Sequence, residues 1–83
     1  MELGRLPELI RRCDRVVARF PSDPAPRNER YLLLSLAGRD QEACADIRKA
    51  IDLARTATPA RLDRQLLLDL RLRGALCDSP LRQ

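Results

Sequence analysis

The chain has 83 residues, of which 45% are apolar and 34% charged, and its net charge is +4. A length of this order allows one domain, which hides only about 60–65% of the surface it would expose unfolded. The apolar and charged fractions together suit a folded soluble protein better than a disordered one.

One Tyr and one Phe are the only aromatics, so the core has to be aliphatic and rich in Ala, a composition suited to packed helices. From Leu6 to Phe20 the residues Leu6, Leu9, Ile10, Cys13, Val16, Val17 and Phe20 recur at steps of three and four, opposite Arg11, Arg12, Asp14, Arg15 and Arg19. This predicts an amphipathic helix with one buried stripe. Pro7 suits its first turn, and Pro21-Ser-Asp-Pro24-Ala-Pro26 ends it, with Ser22 or Asp23 available to cap the next helix. The second helix is predicted from about Pro24–Arg27 to Ala37, and its apolar residues cover so much of its circumference that neighbours must sandwich it. Gly38 is placed to close it in the left-handed conformation, and Asp40 to cap a third helix after a tight turn.

That third helix, about Asp40 to Ala57, carries Ala43, Ile47, Ala50, Ile51 and Ala54 on one face, a small-residue stripe that lets a partner approach closely. Glu42 and Asp46 stand one turn apart among its polar residues, the spacing of an exposed face. Thr58-Pro59 reads as a cap and first-turn proline, so a fourth helix is predicted from about Pro59 to Cys77, leucine-bearing on several sides, with Gly74 fraying or bending its end. Asp78 to Gln83 reads as a short tail.

Cys13, Cys44 and Cys77 are an odd number with no Cys-x-x-Cys spacing, and there is no His, so a zinc site of the usual kind is not expected. The cysteines imply a reducing compartment, with Cys13 a buried structural thiol. No signal-peptide or membrane-spanning run is present, and the expected location is cytoplasmic, away from the membrane. Without His, and with no Cys or Ser set beside a base at a suggestive spacing, no enzyme activity, cofactor or catalytic residue is expected. Neither GxGxxG nor a Gly-Lys-Ser phosphate loop occurs.

The chain echoes itself at a spacing of 34 residues. Arg27, Arg30, Leu32, Leu33, Leu34 and Leu36 return as Arg61, Arg64, Leu66, Leu67, Leu68 and Leu70, and Gly4-Arg5 with Glu8 return as Gly38-Arg39 with Glu42. A period of this length marks a stacked helix-turn-helix unit. The pattern resembles the tetratricopeptide repeat, above all in Gly38 to Leu53, where Ala43, Ile47 and Ala50 match the family's second helix. The resemblance implies an all-α array across one domain: a repeat unit at 24–57, preceded by a half unit at 4–23 and followed by a half unit at 58–77. The family's first-helix signature residues are absent here, and an unrelated four-helix bundle is the alternative architecture.

The resemblance implies a non-catalytic protein-interaction module or adaptor. Its first helices would line a groove formed by Asn28, Leu32 and Ser35, continued by Leu62, Leu66 and Asp69. Leu32 and Leu66 read equally well as core. Helices this apolar are not all covered within one short chain, so the expected partner is another protein or a second copy, giving a homo-oligomer or a complex. The alternative function is nucleic-acid binding or regulation through the basic face Arg11, Arg12, Arg15 and Arg19. Glu8 and Asp14 interrupt that face, and an Arg-rich helix side is more often simply solvated.

Overall fold

Aspartate, proline and glycine set the helix boundaries. In the computed structural model, which describes residues 3–79, four α-helices and two short 3-10 turns succeed one another, with no strand among the described residues. Leu3–Arg5 form a 3-10 turn that leads into α1, Leu6–Arg19, with Pro7 in its first turn. The Asp23 side chain then accepts a hydrogen bond from the Ala25 N–H at 3.0 Å, capping α2, Pro24–Leu36.

The α2 helix ends as predicted at Gly38, which has φ +76°. Two bonds there, Arg39 N–H to Leu34 O and Gly38 N–H to Ser35 O, satisfy carbonyls that the helix end leaves free. The tight turn delivers α3, Asp40–Thr56, antiparallel to α2. Asp40 is the first residue of α3, with Arg39 at the cap position and no side-chain cap bond there.

The fourth helix starts later than Thr58-Pro59 suggests. Pro59–Arg61 make a separate 3-10 turn, Leu62 and Asp63 are extended, and Asp63 caps α4, Arg64–Cys77, by accepting from the Leu66 N–H at 2.7 Å. Gly74 neither frays nor ends α4 but lies within it against α3: a Cβ there would fall 2.9 Å from Ile51 Cδ1. Of the predicted tail, residues 80–83 lie outside the described residues.

The helices form a flat stack of 37 × 32 × 18 Å in which α2 and α3 make the most extensive contact. On one side α1 packs on α2, and on the other α4 packs on α3 and touches α2. Ala43, Ile47 and Ala50 are fully buried at the centre, joined by Leu6 and Ile10 from α1, Tyr31 and Leu34 from α2, and Leu66 and Leu70 from α4. The small-residue stripe of α3 thus does what its composition predicts. The stripe of α1 is covered less fully: Leu6, Ile10 and Val17 are buried, Leu9 and Cys13 half-buried, Val16 and Phe20 exposed.

Two expectations about α3 are overturned. Asp46 is buried rather than solvated. Arg30 donates to it from Nε and Nη2, both at 2.7 Å, and Arg27 lies 3.4 Å away. Arg30 also reaches Asp14 of α1 at 2.9 Å, so one guanidinium ties three helices together, and the Asp46 carboxylate holds it above its ordinary pKa. The cysteines are not all free thiols: Cys44 and Cys77 form a disulfide between α3 and α4, with Cα atoms 5.6 Å apart. The inference of a reducing compartment rested on unpaired cysteines and loses its footing, because disulfides persist where the surroundings are oxidising. Cys13 is the free one among the three; burial pushes its thiol pKa up, which disfavours the reactive thiolate. No helix among the described residues is long and apolar enough to cross a membrane.

Candidate functional site

The six residues expected to line a groove between α2 and α4 are divided by the fold. Leu66 is buried core, and Leu62 is half-buried in the extended stretch before α4. Asn28 is buried too, and its amide donates to Asp69 at 3.1 Å while its side-chain oxygen accepts from Arg73 at 2.8 Å. Gln65 donates to the other Asp69 oxygen at 2.9 Å. These hydrogen bonds from Asn28 and Gln65 hold the Asp69 carboxyl below its ordinary pKa. Arg73 also lies over the Tyr31 ring at 5.1 Å and donates to the Asn28 carbonyl. The polar members of the expected groove are therefore a joint between α2 and α4. Ser35 is half-buried with a hydroxyl that finds no partner among the described residues. Of the six, Leu32 is the one exposed leucine.

The joint also changes the register that the 34-residue echo implies. Asn28 meets residues 41 and 45 positions further on, whereas its counterpart in the echo, Leu62, precedes α4.

What α2 and α4 do present to solvent is a set of leucines beside this joint. On α4, Leu66, Leu70 and Cys77 are buried, while Leu68, Leu72 and Leu76, at steps of four, are exposed to 51%, 61% and 42%. A spacing of four keeps all three on one outward stripe. On α2, Leu32 and Leu36 are exposed in the same way at a step of four. The sequence reading missed Leu36, Leu68, Leu72 and Leu76. The signal that finds them is the helical wheel of α4: once Leu66 and Leu70 mark its buried side, these three leucines fall opposite.

The four arginines of the alternative basic face share one side of α1. Arg11, Arg12, Arg15 and Arg19 are all exposed on α1, with no ion pair to any described residue, and Arg19 lies over the Phe20 ring at 5.7 Å. Glu8 belongs to the same side of the helix.

A polar cleft of about 480 Å³ opens where α1, α2 and α3 meet. It is lined by the Arg30–Asp46–Asp14 ion pairs together with Arg27, Arg39 and Glu42. Its charges are already matched: Arg39 and Glu42 pair at the rim as neighbours on one helical turn. No protein-family model matches the chain, and neither a curated protein nor a solved structure shows significant similarity to it.

Proposed function

We propose that the chain is a non-catalytic protein-interaction module, as the tetratricopeptide resemblance implies, but with its binding face on the outward leucines of α2 and α4 in place of the expected groove. The observation that carries this reading is the exposed stripe Leu68, Leu72 and Leu76. Burying apolar surface is worth about 25 cal/mol per Å², and an exposed contiguous apolar patch marks an interaction site more often than a neutral surface. A second copy is the simplest cover, which makes self-association the first property to measure.

The test is light scattering of the purified chain over a range of concentration and salt, beside the variant L68E/L72E. The wild type is expected to assemble independently of salt, and the variant to be a monomer with the same helical circular dichroism. A wild type that stays monomeric at high micromolar concentration argues against the reading.

The unpaired arginines of α1 favour one second reading, nucleic-acid binding. Its signature in the same experiment is a complex with bulk nucleic acid that dissolves steeply as salt rises, with a slope that falls when Arg11 and Arg15 become Ala.

A further inference from the structure

We infer that the groove between α3 and α4, on the flank of α4 away from Asp69 and Arg73, is a docking site for an acidic amphipathic helix of another protein. Its floor is Ile51 and Ala54 from α3 with Leu67 and Leu70 from α4, and Arg55 and Arg71 stand at its rim. The groove is open, with a volume of about 280 Å³, and Leu67 is 46% exposed within it.

Charge decides the occupant. Arg48 lies seven residues before Arg55 on α3, and Arg64 seven before Arg71 on α4, so each antiparallel wall repeats its arginine after two turns on the same face. Two turns span about 10.5 Å, the spacing at which a docked helix repeats its own flanking residues. Arg48, Arg64 and Arg71 have no ion pair with any described residue, and Arg55 has only a solvent-exposed contact of 3.4 Å with Asp52. An apolar floor between two arginine-bearing walls, on which only Arg55 has a carboxylate partner among the described residues and that one exposed to solvent, is complementary to a helix with an apolar stripe and Glu or Asp on both sides of it.

A second copy of the chain fits poorly. The outward leucine stripe of α4 is bordered by Arg64 and Arg71 themselves, and the exposed Val16 and Phe20 of α1 adjoin Arg12 and Arg19. Either would set arginine against arginine. The groove and the leucine stripe are therefore distinct faces with different partners.

The probe is a synthetic amphipathic helix of about five turns with Leu at helical spacing and Glu at the remaining positions, compared with the same peptide carrying Lys for Glu. Binding to the full oxidised chain is read by fluorescence anisotropy. The acidic peptide is expected to bind saturably and the basic one not at all. R55E/R71E and, separately, L67E are each expected to weaken binding roughly tenfold or more. L68Q/L72Q, a neutral change on the other face, is expected to leave it unchanged, so failure here and failure of the leucine stripe are read from different variants. Arg55, Arg71, Leu67, Leu68 and Leu72 are all solvent-exposed, and circular dichroism verifies that each variant folds. Equal binding of both peptides, no binding of the acidic one, or loss of binding in L68Q/L72Q overturns the assignment. So does retention on anionic lipid vesicles that R55E/R71E abolishes, when the peptide itself does not bind.

Discussion

Asp46 shows how one side chain decides the seating of three helices. The residue is 3% exposed, and its carboxylate receives two short bonds from Arg30, which in turn reaches Asp14. A buried ion pair adds little over well-packed apolar residues, because desolvation offsets most of the attraction, but removing one partner strands the other. Asp46→Ala is therefore expected to cost about 3–5 kcal/mol, whereas the double variant R30M/D46L costs markedly less. Urea denaturation of both variants tests this. A loss below about 1 kcal/mol for D46A would place the carboxylate among ordinary surface charges. The sequence marked Asp46 as one member of an exposed carboxylate pair, since a spacing of one turn from Glu42 says only that the two share a face. Which face Arg30 of another helix would cover is a matter of packing that helical periodicity does not contain.

At the scale of the element, α4 is the helix least determined by its own pattern, because leucines surround it and no side is polar throughout. Gly74 lies within it against Ile51 of α3. Ala is the better helix former by about 1 kcal/mol, and the atom its Cβ would meet, Ile51 Cδ1, is the end of a flexible side chain. Gly74→Ala is thus expected to change stability by less than about 1 kcal/mol, while Gly74→Val, which needs room for two more methyl groups, costs about 1–3 kcal/mol. Thermal melts of the pair decide it, and equal large losses in both would mean that α4 has no slack against Ile51.

The other helices were more legible. The Asp23 cap, the Gly38 stop and the Ala43-Ile47-Ala50 stripe were readable because each depends on local chemistry: an acceptor before a first turn, a residue tolerant of positive φ, a spacing of three and four. The start of α4 was misplaced because Thr58-Pro59 and Asp63 are both plausible caps. Thr58-Pro59 fits a cap and first-turn proline by composition, whereas it is Asp63, five residues on from Thr58, that accepts from a first-turn N–H, that of Leu66. The candidate groove suffered from the 34-residue echo. A repeat of 34 puts Asn28 beside Leu62, while the structure puts it beside Asp69 and Arg73.

For the molecule as a whole, the question is what keeps α4 on a stack only 18 Å thick in its smallest dimension. The apolar hold is Leu66 and Leu70 against α3, and the polar hold is the Asn28–Asp69–Arg73 joint to α2. The third hold is covalent: the Cys44–Cys77 disulfide closes a loop across 33 positions. By chain entropy such a closure is worth about 3–4 kcal/mol. That is a large share of the total expected for a domain of this length, roughly 4–12 kcal/mol at about 0.05–0.15 kcal/mol per residue. Reduction, or C44S/C77S, is therefore expected to lower Tm by roughly 12–32 °C. Both proposed binding faces include α4, so both should weaken together with it. Hydrogen exchange locates the loss. The amides of α4 are expected to lose protection first on reduction, while α2 and α3, whose shared core of Tyr31, Leu34, Ala43 and Ile47 the disulfide does not close, keep theirs. If all four helices lost protection at the same rate, the domain would open as one cooperative unit. The disulfide would then stabilise the whole stack equally, and neither binding face could be released by reduction without unfolding the rest.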